Sequence, residues 1–160
     1  MTLAPMDVAE FDSLPREEAE RVLLDCCAAP RWAAAVAAGR PYADRDALLA
    51  AADAALTDAD LDAAMAGHPR IGDRAGGRSG REQAAVGAAG DDVRDALAAG
   101  NRAYEDRFGH VYLVCASGRS AEDLLVTLHV RLDNDPATER AVALRELAAI
   151  NRLRLAEVVP

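Results

Sequence analysis

Apolar residues recur every three or four positions along most of this chain, and the breaks in that rhythm fall at proline, glycine and aspartate. After an entry segment, Met1 to Phe11, the run Ser13-Leu14-Pro15-Arg16-Glu17-Glu18 reads as a helix start, with a serine cap, a first-turn proline and acids at the positive helix end. Ala19, Val22, Leu23, Cys26 and Cys27 then mark one buried face, and Pro30 ends the helix. A short helix from Arg31 to about Ala38 is broken by Gly39-Arg40-Pro41. Asp44 or Asp46 caps a helix to about Leu56, and Thr57 caps another from Asp58 to Ala66, with Gly67 placed as a left-handed terminator.

A loop from Gly67 to Arg78 precedes a helix from Ser79 to about Ala89. Asp91 caps a longer helix to Phe108 whose stripe is Val93, Leu97, Gly100, Tyr104 and Phe108. Ser117-Gly118-Arg119-Ser120 is a turn, and Ser120 caps a helix carrying Ala121, Leu124, Leu125, Leu128 and Leu132. Asn134-Asp135-Pro136 opens a last helix to about Glu157. The pattern predicts an all-α, single compact bundle-like domain of about eight helices over residues 1–160.

Val111-Tyr112-Leu113-Val114-Cys115-Ala116 does not follow the helical period. It is continuously apolar and carries β-branched residues, which suits a strand or a buried extended segment. No second such run offers a ladder partner. An extended buried segment, with backbone groups available to a ligand, is the expectation.

Composition narrows the function. Of 160 residues 51% are hydrophobic and only 4% aromatic, which favours close-packed helices. The net charge of −9 and pI near 4.8 disfavour nucleic acid and anionic membrane surfaces as partners. No apolar run approaches a membrane span, and residues 1–10 lack the blocks of a signal peptide. Cys26, Cys27 and Cys115 read as reduced thiols of a cytoplasmic protein. Trp32 reads as a core or interface anchor.

The residues suited to chemistry cluster after Gly67. His68 titrates near neutrality when unperturbed and is held beside Pro69, so it serves as an acid or base, or else as a loop histidine. Ser79 and Glu82 fit a capping box, or with Gln83 they line a polar helix mouth suited to an anion. Arg70, Arg74, Arg78 and Arg81 make a local basic island apt for carboxylate or phosphate, or are solvated loop charges. Arg154 shares a face with Leu147 and Ile150, where an arginine either snorkels or pairs with something buried. His110 and His129 are weaker candidates. The three histidines are far apart in sequence and no Cys-x-x-Cys occurs, so no metal site is expected. A nucleotide loop and a nucleophile elbow are absent as patterns.

Taken in order, His68-Pro69-Arg70-Ile71-Gly72, Ser79-x-x-Glu82-Gln83, Tyr104-x-x-x-Phe108-Gly109, Arg131-Leu132 and Ile150-x-x-x-Arg154-Leu155 resemble the OHCU decarboxylase family. These enzymes act on 2-oxo-4-hydroxy-4-carboxy-5-ureidoimidazoline. The Leu14-Pro15 helix, Trp32 and Arg40-Pro41 extend the resemblance over nearly the whole chain. It implies an all-helical homodimer, without a cofactor, that completes the route from urate to (S)-allantoin. On this chain His68 and Glu82 match the catalytic pair and Arg154 a site arginine. Pro69, Ser79 and Gln83 match substrate contacts. His110, Val111, Tyr112, Leu113 and Val114 match a stretch whose backbone holds the ureido and ring amides. Many relatives carry Phe-Gly-Phe-Pro-Phe where this chain has Phe108-Gly109-His110-Val111-Tyr112, a departure that touches side chains rather than backbone. Association with other urate-pathway enzymes is a further expectation. The competing reading is a non-catalytic helical module that binds a small anion or a partner helix.

Overall fold

The computed structural model describes residues 3–73 and 77–160. Among them are ten α-helices, one short 3-10 turn and no strand. The chain divides into two compact units, residues 1–67 with 147–160, and residues 68–146.

In the first unit, the expected entry segment holds a short helix, α1 (Val8–Ser13), closed by a reciprocal box in which Asp7 and Glu10 accept each other's backbone N–H at 2.8 Å. Ser13 therefore ends α1, its hydroxyl donating to the Glu10 carbonyl, and does not cap the next helix. That helix, α2 (Arg16–Cys26), starts behind Pro15 and buries the face expected for it. Pro30 opens α3 (Pro30–Ala38) rather than ending α2, since a proline in the first helical turn leaves no extra donor unpaired. Asp44 caps α4 (Arg45–Ala55), accepting the Ala47 N–H at 2.8 Å.

Thr57 begins a 3-10 turn (Asp58–Asp60) that runs into α5 (Leu61–Ala66). Gly67 follows with φ −91°, right-handed, so the expected left-handed terminator is not used there. α2 packs on α3, and α3 on α4. Trp32 is fully buried and donates its indole N–H to the Ala52 carbonyl at 2.8 Å, the core anchor expected. Arg40 gathers the carbonyls of Ala37, Phe11 and Leu14 at 2.8–2.9 Å, satisfying orphan acceptors at two helix ends.

The second unit holds α6 (Gly77–Glu82), α7 (Ala84–Gly87), α8 (Asp91–Phe108) and α9 (Ala121–Leu132). The last helix, α10 (Pro136–Val158), contributes its first part here, and from Leu147 it is counted with the first unit. The helix expected to start at Ser79 starts at Gly77 and is interrupted at Gln83, so Ser79 lies inside α6. α8 keeps its stripe, with Leu97 and Tyr104 fully buried, and Asp91 is its first residue rather than its cap. At Gly100 the helices α8 and α9 come so close that a Cβ would fall 2.5 Å from Leu128 Cδ2. Gly109 ends α8 with φ 77°, a conformation open to glycine. Residues 111–116 adopt neither helix nor ladder, as expected, and Tyr112, Leu113, Val114 and Ala116 are buried.

Candidate active site

The loop after α5 is pinned residue by residue. His68 and Pro69 are half-buried. Arg70 forks onto Glu105 of α8, with Nε–Oε1 at 2.6 Å and Nη2–Oε2 at 3.2 Å. Ile71 is buried, and its carbonyl accepts from Asn101 Nδ2 at 2.7 Å. Gly72 takes φ 96° and donates its N–H to Gln83 Oε1 at 3.1 Å. A segment with little apolar mass of its own is thus fixed by polar side chains from α8 and from the α6–α7 break, which limits where His68 can sit.

Two members of the expected site change character. Gln83 braces the loop through its carboxamide oxygen, and its amide nitrogen meets no acceptor among the described residues and can donate to a ligand. Arg70, counted in the basic island, is committed to Glu105. Arg74 of that island lies outside the described residues. Gln83 also lines a cavity of about 370 Å³ together with Gly72, Asp73, Gly80, Val86 and Arg94, and it is the candidate residue found there. Ser79 and Glu82 on α6 are half-buried. Glu82 lies within electrostatic reach of Cys115, whose thiol is pushed up by burial first, then by Glu146 and Glu82. His129 is exposed on α9.

The extended segment rests on a buried ionic cluster that sequence reasoning did not assign. Arg131 and Glu139 are 4% and 0% exposed. Arg131 Nε donates to Glu139 Oε1 at 2.7 Å, and Nη1 donates to the Leu113 carbonyl at 2.7 Å. Tyr104 donates its hydroxyl to the same Glu139 oxygen, and Asn134 Nδ2 to the other at 3.1 Å. The guanidinium lies over the rings of Tyr112 and Tyr104, 4.9 and 5.8 Å from their centroids. Burial works against the Arg131 charge, but Glu139 more than offsets it and holds the group above its ordinary value. Burial, with the Glu139 hydrogen bond, raises the Tyr104 phenol; burial also raises that of Tyr112. In the sequence Arg131 was legible only within the Arg131-Leu132 motif of the family resemblance. Its partner eight residues on, across a helix break, was not.

Expected backbone availability at this segment is corrected in part. The Leu113 carbonyl is taken by Arg131, and the Cys115 N–H donates to Glu146 Oε2 at 3.3 Å. The Val111 carbonyl lies 3.1 Å from His110 Nδ1. His110 itself is half-buried, edge-on to Tyr104 and stacked near Phe108. Tyr112 is turned into the core, its hydroxyl donating to the Leu124 carbonyl at 3.0 Å.

Arg154 belongs to the first unit, on α10. It is 7% exposed and donates Nη1 to the Cys26 carbonyl at 3.1 Å, so the face it shares with Leu147 and Ile150 is a buried one. Among the described residues no group of histidine, cysteine and carboxylate side chains is arranged to hold a metal ion, and no helix is long and apolar enough to cross a membrane.

An all-helical chain with this loop and this segment has close counterparts. A crystal structure of OHCU decarboxylase in the presence of (S)-allantoin superposes with a TM-score of 0.75 at 26% identity, covering 90% of this chain and 97% of that one. A crystal structure of (S)-allantoin synthase shares the fold, with a TM-score of 0.77 at 19% identity over 98% of this chain and 54% of the other. The model of the OHCU decarboxylase family matches residues 12–156, and the chain belongs to that family. It is 32% identical to the 2-oxo-4-hydroxy-4-carboxy-5-ureidoimidazoline decarboxylase of Amia calva, over 96% of this chain and 95% of the relative. It is 28% identical to the uric acid degradation bifunctional protein TTL of Arabidopsis thaliana, spanning 45% of that longer protein.

Proposed function

We propose that this protein decarboxylates 2-oxo-4-hydroxy-4-carboxy-5-ureidoimidazoline to (S)-allantoin in urate breakdown. The observation that carries this is the near-complete, end-to-end match to a decarboxylase of that substrate, joined to a loop that holds the histidine motif in a fixed conformation. One family description runs through both units, which supports treating residues 1–160 as one functional domain.

The substrate carries its own electron sink, an imine beside the carbon that bears the carboxylate. When the carbon–carboxylate bond breaks, carbon dioxide leaves, the electron pair forms a ring carbon–carbon double bond and the imine nitrogen takes up a proton, which gives an enol intermediate. The hydroxyl proton departs as the carbonyl of allantoin forms, and a proton is added at the former imine carbon on one face. His68 hydrogen-bonds the substrate hydroxyl or carboxylate and orients the leaving group. Glu82 positions His68 and shares in the proton transfers. Arg154 holds anionic charge, Pro69 shapes the wall, and Ser79 with the amide of Gln83 fixes the ring. Backbone groups between His110 and Val114 hold the ureido and ring amides. Orientation and stabilisation of developing charge supply the acceleration, so the reaction calls for no cofactor.

The homodimer, the cytoplasmic location and an association with other urate-pathway enzymes are carried with this reading. A direct test generates the substrate in place from urate with urate oxidase and hydroxyisourate hydrolase and follows circular dichroism. A rapid optically active signal supports the decarboxylase. A slow racemic drift, equal to buffer, supports instead a helical module that binds a small anion.

A further inference from the structure

Over residues 111–115 the backbone hydrogen bonds fall on alternate positions, and the Ala116 carbonyl, where the turn begins, accepts the Arg119 N–H at 3.1 Å. In an extended backbone the N–H and C=O of one residue point to one edge, and those of the next residue to the other. The Leu113 carbonyl is held by Arg131 at 2.7 Å and the Cys115 N–H by Glu146 at 3.3 Å, so side chains hold the edge that residues 113 and 115 share. Among the described residues no hydrogen bond ends on the backbone N–H or C=O of Tyr112 or Val114. Those two residues are 2% and 4% exposed. Buried amides and carbonyls without partners are costly, so this second edge calls for something that donates and accepts side by side. A ureido group or a ring lactam presents that pair of groups.

We propose that Glu146 and Arg131 are positioning residues: they clamp the edge at Leu113 and Cys115, and so fix the edge at Tyr112 and Val114 as the one that reads an amide- or ureido-bearing ligand. The ligand class rests on the decarboxylase reading; the clamp rests on the hydrogen bonds themselves. Arg131 is also tied into the core through Glu139, but the Cys115 N–H is the hydrogen-bond partner shown for Glu146, which is half-buried. Glu146 is therefore the cleaner probe.

The test compares wild type, Glu146→Ala and Glu146→Gln with the substrate generated in place. The clamp predicts that Glu146→Ala keeps its melting temperature but loses about tenfold to a hundredfold in kcat, together with enantiomeric purity of the allantoin. Glu146→Gln, whose carboxamide oxygen still accepts from Cys115, recovers most of both. A folded Glu146→Ala with wild-type kcat and purity overturns the proposal. An independent measurement on the wild-type protein is amide exchange with and without (S)-allantoin. Slowing at Tyr112 and Val114 supports the assigned edge, and slowing confined to Val111 and Leu113 overturns it. If wild type fails to turn over the substrate, the functional reading falls, and exchange at Cys115 still decides the clamp. Its acceleration in Glu146→Ala by about tenfold or more upholds the clamp, and an unchanged rate refutes it.

Discussion

The two units are held together in different ways. The first, residues 1–67 with 147–160, is helix packed on helix, with Trp32, Leu23 and Leu48 fully buried; its buried charges, Asp60 and Arg154, meet an exposed arginine and a backbone carbonyl rather than each other. The second, residues 68–146, sets an extended segment on a buried ion pair, Arg131 with Glu139, and pins its loop with side chains from Asn101, Glu105 and Gln83. A unit built on periodic apolar contacts tolerates polar changes at its rim. A unit built on a buried charge pair has geometry to lose as well as stability, and geometry is what a site needs. Four of the perturbations below separate these cases.

The largest expected effect is on activity. His68→Ala should lower turnover by about a hundredfold or more while leaving the urea midpoint near wild type, because general acid–base groups contribute about 10²–10⁴ in rate. A single-turnover assay beside a denaturation curve checks both halves.

Next is the ion pair. Glu139→Ala strands the Arg131 charge and should cost about 3–5 kcal/mol in urea unfolding. The paired replacement Arg131→Met with Glu139→Leu should recover much of that stability, since a buried pair is seldom better than well-packed apolar groups. It should not recover activity, because the Leu113 carbonyl loses its donor. Recovery of both would show that the pair serves the fold alone.

Leu23→Ala belongs to the other unit. It should cost about 2–5 kcal/mol, with kcat unchanged on the fraction that remains folded. A fall in kcat at temperatures where the variant is fully folded would erase the contrast between the units.

The smallest effect is one of pH. Asp60 is 2% exposed; burial alone would raise its carboxyl, but Arg31 and Thr57 hold it below the ordinary aspartate range. Its folded pKa lies under its unfolded one, so its contribution is complete at neutral pH and is lost as pH falls through the folded value. The stability gap between wild type and Asp60→Asn should narrow as urea midpoints are taken below about pH 4. A gap that stays constant down to pH 3 would mean the carboxylate charge adds nothing.

The same contrast explains what was legible in the sequence. Helices with a sustained period were readable: α4 behind Asp44, α8 with its stripe, α9 behind Ser120 and α10 from Pro136 all lie where the pattern put them. Boundaries failed where two signals compete for one residue. Ser13 can cap a helix or close one, and the box of Asp7 with Glu10 decided for closing. Ser79 has the spacing of a capping box, yet α6 begins two residues earlier. The nonperiodic run at Val111 was recognisable as extended and buried, but its partners were not. Arg131 lies on α9 and Glu139 and Glu146 on α10, and no local rule joins charges across a helix break to each other or to the backbone of a nonhelical segment. Membership in the family was readable from ordered motifs, whereas Gln83 as a brace for Gly72 required coordinates.

The most direct measurement is the enantiomeric composition of allantoin formed from freshly generated substrate, analysed by chiral chromatography with wild type and His68→Ala side by side. The account predicts a single enantiomer, (S), from wild type and a racemic product at the uncatalysed rate from the variant. A racemic product from wild type, or an undiminished (S) excess from His68→Ala, would contradict it.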